Sequence, residues 1–390
     1  MKTYTHFLLI VFILFGCAQQ KPEPGEQNEI KTGAQRVSSY LPLLKNKRTG
    51  LVVNHTSVIG KTHLVDTLIE LGVEVDVVFG PEHGFRGQAA DGEKISNDST
   101  EDYLIISLYG KNRKPSKEDL AGIDIVVFDI QDVGTRFYTY ISTMHYVMEA
   151  CAENGIPVIV LDRPNPNGFY IDGPVREPEF SSFVGMHPIP VVHGLTVGEL
   201  ANMINKEGWL ANNIKCNLTV IENEFYTHKD RWPLKIYPSP NLPNDISVGW
   251  YPSLCFFEGT IMSIGRGTYH PFQVIGYPDS TFGKFTFTPV SIEGMSLYPK
   301  FENETCFGID LQNVSPPAKV DLSYLIDFYS QFDDKDAFFK PYFNTLAGTD
   351  KLMAQIKQGL SQEEIGESWL PALDKYKELR KKYLLYPDFE

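Results

Sequence analysis

Between Gly50 and about Gly194, short apolar runs alternate with amphipathic segments, and this constrains the fold more than any other feature of the chain. The runs are Leu51–Val53, Val73–Phe79, Tyr103–Leu108, Ile123–Ile130 and Ile156–Leu161. Their nearly continuous hydrophobicity suits strands buried on both faces, as parallel strands are. Between them, His63–Leu71 and Tyr140–Glu153 carry apolar residues at helical spacing. Thr196-Val197-Gly198-Glu199 reads as a capping box opening a helix through Asn205. Strands alternating with helices predict an α/β fold, a mostly parallel sheet with helices on its faces. No GxGxxG follows a strand and no GxxxxGK[ST] loop occurs. The expectation is a Rossmann-like sheet with no cofactor.

After Trp232 the texture changes. Tyr237-Pro238-Ser239-Pro240-Asn241-Leu242-Pro243 is a run of turn formers, followed by shorter aromatic strands. Helical patterns lie near Leu322–Phe332, Lys351–Leu360 and Leu370–Tyr383. Residues 36–236 are therefore assigned to the Rossmann-like domain, and residues 237–390 to a smaller α+β domain that completes a cleft.

The N-terminus has the layout of a signal peptide over residues 1–16: Lys2, an apolar run from Phe7 to Phe15, then Gly16 and Cys17. That run is too short to span a bilayer. Leu14-Phe15-Gly16-Cys17 resembles a lipobox, which would make Cys17 the acylated first residue of the mature protein. Residues 17–35, rich in Gln, Glu, Pro and Lys, read as a flexible tether. The expected location is the cell envelope, facing the periplasm or the exterior, with membrane contact through the lipid anchor only. A formal net charge of −14 argues against nucleic acid as a partner. Cys151, Cys216, Cys255 and Cys306 lack CxxC or CxxH spacing, so no metal site is built on them; disulfides are open to them in this compartment, but Cys151 in a helical pattern and Cys255 in an apolar run favour buried free thiols.

Ligands of open α/β sheets bind beyond the carboxyl ends of the strands. Those positions are strongly polar here: Asn54 and His55; Glu82, His83 and Arg86; Asp129, Gln131, Asp132 and Arg136; Asp162, Arg163 and Asn165. Glu82 stands out, because a carboxyl at the end of a buried strand between Pro81 and Phe85 suits general-acid work. The plainer alternative is that Glu82 pairs with His83 or Arg86 and pins a Gly-rich turn.

The segments Phe79 to Gly87 (FGPEHGFRG), Phe128 to Tyr140 (FDIQDVGTRFYTY) and Leu161 to Pro166 (LDRPNP) resemble signatures of the NamZ-type exo-β-N-acetylmuramidases. So do Val191–Leu200, Pro238–Pro243 and Phe257–Thr268, in the same order, so the resemblance covers essentially the whole chain after the tether. It implies a glycoside hydrolase that removes N-acetylmuramic acid from the non-reducing end of peptidoglycan fragments in cell-wall turnover or recycling, with a muropeptide or disaccharide as substrate. The family's Glu-His-Gly motif falls on Glu82 and His83. Asp129, Asp132, Asp162 and Glu258 are candidates for a second carboxylate, unless the substrate's own 2-acetamido group attacks the anomeric carbon. Arg86, Arg163 and Arg266 are candidates to clamp the lactyl carboxylate, each with a plainer role in a salt bridge, to Glu82, Asp162 and Glu258 respectively. Asn54, His55, Asn165, His193 and Asn241 are candidates for binding hydroxyls or the acetamido group.

Two other classes fit parts of the pattern. His55, His83, Asp129 and Asp162 at strand ends suit a metal-dependent hydrolase, although no pair has diagnostic spacing. A two-domain chain on a tether also suits a non-catalytic cell-wall-sugar-binding lipoprotein, which would keep its ligand affinity when Glu82 is changed to Gln.

Overall fold

A computed structural model describes residues 29–82, 84–85, 98–99 and 103–390. Cys17, His83, Arg86, the signal peptide and most of the expected tether lie outside the described residues.

The central sheet contains β1 (Arg48–Val53), β4 (Glu74–Gly80), β5 (Asp98–Ser99), β6 (Leu104–Ser107), β7 (Ile125–Asp129), β8 (Val158–Leu161) and β9 (Leu218–Ile221). Their order is β5-β6-β4-β1-β7-β8-β9. All neighbours are parallel except β5, which pairs antiparallel with β6. The six parallel strands thus follow the doubly wound order 3-2-1-4-5-6, with the switch point between β1 and β7. A short hairpin, β2 (Val58–Ile59) and β3 (Thr62–His63), sits after β1.

Residue alternation along the strands explains the two layers. In β7, Val126 and Phe128 face one core, while Ile125 and Val127 face the other. The second core is covered by α1 (Val37–Leu44) and α2 (Leu64–Glu70). The first is covered by α3 (Tyr140–Glu153) and α4 (Val197–Glu207) and continues without a break into the C-terminal half through Trp250, Phe256, Phe257 and Phe343. α4 opens with the expected reciprocal box, Thr196 N donating to Glu199 Oε2 and Glu199 N to Thr196 Oγ1.

The C-terminal half holds α5 (Asp245–Leu254), an antiparallel sheet in the order β10 (Val274–Tyr277), β12 (Cys306–Asp310), β11 (Phe285–Phe287), and the helices α6 (Ser323–Gln331), α7 (Lys335–Phe338), α8 (Tyr342–Ala347), α9 (Lys351–Lys357) and α10 (Gln362–Arg380). α10 begins eight residues before the expected Leu370, because Ser361 and Glu364 form a capping box ahead of it.

Two further differences shape the site. The fold begins before residue 36: Lys31 pairs through its backbone with Glu224, and Gly33 N donates to the Asp162 carbonyl at 2.8 Å. Thr32 and Ala34 are buried, so this stretch is held by the β8–β9 edge. The chain end also returns to the Rossmann-like half, where Tyr386 reaches Asp162 and Leu385 N donates to Glu199. Among the described residues no helix is long and apolar enough to cross a membrane.

Candidate active site

The carboxyl edge of the sheet meets the C-terminal half across a cavity of about 540 Å³. Among the described residues two carboxylates line it, Glu82 and Glu258. Glu82 is carried there by β4, whose chain turns sharply after Gly80 and whose last residues are fully buried. Thr139 Oγ1 donates to Glu82 Oε2 at 3.2 Å, just ahead of α3. Tyr140 also lines the cavity; its phenol is pushed well above its usual range by burial and then by the Glu82 charge, so it stays protonated and donates to the Pro238 carbonyl at 2.9 Å. Aromatic rings form much of the remaining wall, Phe137, Tyr138 and Tyr251 from behind and the 90% exposed Tyr298 at the mouth. Such rings offer flat apolar faces for a sugar.

Glu258 faces the same cavity, and each of its oxygens accepts one hydrogen bond. Oε1 accepts from Arg266 Nε at 2.5 Å, and Oε2 takes the Cys255 thiol at 3.6 Å. Arg266 is therefore present in the cleft in the plainer role foreseen for it. Asn241 lines the wall, its Nδ2 donating to the Met295 carbonyl at 2.9 Å. Two cleft cations escaped the sequence reading. Arg113 lies over the Phe183 ring at 4.1 Å, and Lys300 Nζ is held by the carbonyls of Phe257, Thr260 and Met262. Burial lowers the Lys300 ammonium to about 8, with Glu258 opposing the shift.

The other strand-end candidates do not line this cavity. Asp129 is fully buried and bound by Arg163 through Nε at 2.6 Å and Nη2 at 2.8 Å, so Arg163 pairs with Asp129 and not with Asp162. Asp162 accepts from Thr196 Oγ1, Tyr386 Oη, Gly198 N and Arg163 N, tying the α4 N-terminus and the chain end to β8. A side chain at Gly198 would press on that carboxyl, since a Cβ there would lie 2.7 Å from Asp162 Cγ. Asp132 Oδ2 caps Gly134 N at 2.6 Å, its Oδ1 has no partner among the described residues, and burial raises it to about 7. His193 lies 4.0 Å from Asp132, with Nδ1 accepting from Leu195 N. Burial, reinforced by the Arg380 charge, lowers its imidazole to about 3, so it is neutral.

Asn54 closes its own turn by accepting from Thr56. His55 Nε2 donates to the Tyr237 carbonyl at 2.8 Å, and its pKa is lowered by burial. Asn165 Nδ2 donates to the Leu195 carbonyl. Among the described residues no group of three or more His, Cys, Asp or Glu converges on a point that would hold a metal ion. Asp129 and Asp162, which the metal reading required, are engaged elsewhere. Cys151, Cys216, Cys255 and Cys306 are buried free thiols.

A strand-end carboxylate and an aromatic wall in a cleft between a Rossmann-like sheet and a smaller C-terminal part suit a glycoside hydrolase. A family model described as the N-terminal part of exo-β-N-acetylmuramidase NamZ matches residues 49–246, and its C-terminal counterpart matches residues 249–386. The chain belongs to the NamZ exo-β-N-acetylmuramidase family. It is 38% identical over 419 aligned residues to the peptidoglycan β-N-acetylmuramidase NamZ of Bacillus subtilis (strain 168), spanning 99% of this chain and all of the relative. Two crystal structures of DUF1343 family proteins from Bacteroides fragilis NCTC 9343 are similar throughout. One has a TM-score of 0.85 at 44% identity and the other 0.79 at 33%, each covering 92% of this chain and 99% of its own.

Proposed function

We propose that this chain releases terminal N-acetylmuramic acid from the non-reducing end of peptidoglycan fragments, with Glu82 as the general acid. The observation that carries the reading is the position of Glu82: of the four strand-end carboxylates Glu82, Asp129, Asp132 and Asp162, it alone lines the cleft. Protonation of the glycosidic oxygen by Glu82 lets the leaving sugar depart as an alcohol. Thr139 orients the carboxyl, and Tyr140 ties the cleft wall to the Pro238 turn.

We take the substrate's 2-acetamido oxygen as the group that attacks the anomeric carbon, because the Arg266 guanidinium at 2.5 Å draws charge from Glu258 and lowers its nucleophilicity. Each Glu258 oxygen still keeps a lone pair, so the Glu258→Gln measurement decides between the two routes. Glu258 fixes Arg266, which among the described residues is the sequence-derived candidate in the cleft for the lactyl carboxylate. The test compares a chromogenic β-N-acetylmuramide with the matching β-N-acetylglucosaminide. Release from the muramide alone is expected; binding without release in any form of the protein would return the sugar-capture reading.

The N-terminus supports a lipid-anchored envelope location through Cys17. Labelled fatty acid should be incorporated by the wild type and not by Cys17→Ser. Incorporation by both would remove the anchor assignment.

A further inference from the structure

A second cavity, of about 420 Å³, lies over the ends of β1, β7 and β8. This is the switch point of the sheet, the place where open α/β folds offer a crevice. Two of its lining side chains are more than nine-tenths buried yet incompletely partnered. Arg163, 7% exposed, commits Nε and Nη2 to Asp129, and its Nη1 makes no hydrogen bond with a described residue. Gln131, 4% exposed, donates Nε2 to the carbonyls of Asp132 and Pro164, and its Oε1 has no partner among the described residues. Neither atom is sealed from solvent. Val58, Trp232, Leu234 and Ile236 supply an apolar wall, and two exposed cations stand at the rim, Lys61 and Lys235, the latter 3.5 Å from Glu29.

We propose that this cavity is a second ligand site, taking a small molecule with a carboxylate beside an N–H or O–H donor on a body that can lie against the Trp232 ring. Arg163 Nη1 donates to the carboxylate, as a charge-assisted bond. Gln131 Oε1 accepts from the neighbouring donor, and Trp232 covers the body of the ligand. Both a sugar acid and the carboxyl end of a short peptide present this chemistry. The site does not depend on the catalytic reading of Glu82. It shares one structural element with the cleft: Trp232, Leu234 and Ile236 line the second cavity, while Ser239, Asn241 and Leu242 line the first. Between them, the Tyr237 and Pro238 carbonyls are held by His55 and Tyr140.

Trp232 provides the readout. The full chain is titrated with N-acetylmuramic acid, D-alanyl-D-alanine and N-acetylglucosamine while tryptophan emission is followed. A saturable change is expected with one or both carboxylate probes and none with N-acetylglucosamine, and the responding probe identifies the source. The change should vanish in Trp232→Phe. The dissociation constant should rise about tenfold in Arg163→Lys, which keeps a cation beside Asp129 but loses Nη1. The exposed pair Lys61→Gln with Lys235→Gln, which leaves the core untouched, should weaken binding about threefold. No saturable change, an equal response to N-acetylglucosamine, or dissociation constants left unchanged by Arg163→Lys would each overturn the proposal; any response that survives Trp232→Phe but is lost in Glu258→Gln belongs to the cleft.

Discussion

Two stretches of one rim, equally polar in sequence, have different occupations in the fold. At the end of β4, Glu82 faces a cavity. At the ends of β7 and β8, Asp129 and Asp162 face protein donors, a guanidinium in one case and two hydroxyls with two backbone amides in the other. The difference lies in what packs above the strand end. Over β8 the chain end and the start of α4 close in, whereas over β4 the C-terminal half stands off and leaves a cleft. A strand-end carboxylate is therefore a candidate for chemistry only where its donors have not already come from the protein.

The sharpest way to break this contrast is to remove each carboxylate's charge in turn. Glu82→Gln should lower kcat by about 10³-fold, within the range for a lost general acid, while leaving the melting temperature nearly unchanged. Asp129→Asn should do the reverse. It leaves Arg163 charged and unpaired in the interior, at a cost of about 3 kcal/mol in stability, read by denaturant unfolding, with per-molecule activity of the folded fraction retained. Should Asp129→Asn abolish turnover at full stability, the division of the rim would fail.

Glu258→Gln has an intermediate effect. It loosens Arg266 without opening the core, so kcat/KM should fall about tenfold and stability by less than about 1 kcal/mol. A loss as large as that of Glu82→Gln would make Glu258 the attacking group and displace the acetamido route.

The smallest effect concerns pH. Asp132 is raised from 3.8 to about 7 in the folded state, so between those values the folded protein holds a proton that the unfolded chain has released. Its contribution to stability is present at about pH 4 and fades as pH rises toward about 7. His193, lowered to about 3, acts in the opposite sense over much of the same window. Asp162, raised to about 7, adds to the Asp132 trend, so the assignment is read as a difference: the melting temperature of Asp132→Asn relative to the wild type should climb from pH 4 to pH 7. A relative profile that is flat or falls would contradict the assignment.

Local signals in the sequence carried much of the scaffold. The α3 bounds match the helical spacing at both ends, and the Thr196 box caps α4 as its residues imply. β9 went unread because Leu218–Ile221 is short and half-exposed, without the continuous hydrophobicity of its neighbours. The early start of the fold near Lys31 was hidden for a related reason: a polar stretch is ordered there by backbone pairing with Glu224, 193 positions away.

The site was legible in part. The rule that directs attention to strand ends finds Glu82, and the same rule applied beyond β6 would have found Arg113. It does not separate Glu82 from Asp162, whose partner Tyr386 is 224 positions distant, nor does it match Arg163 to Asp129 across 34. Those partners belong to tertiary packing, and no local pattern encodes them. Glu258 and Arg266, only eight positions apart, were readable as a pair.

The role of Glu82 is tested most directly by the dependence of Glu82→Gln on the leaving group. A nitrophenol departs without protonation, whereas a sugar alcohol does not, so a lost acid is felt mainly on the natural bond. A far larger fall in kcat/KM is expected on the muramyl disaccharide than on the nitrophenyl muramide. Equal losses on the two substrates would contradict that role.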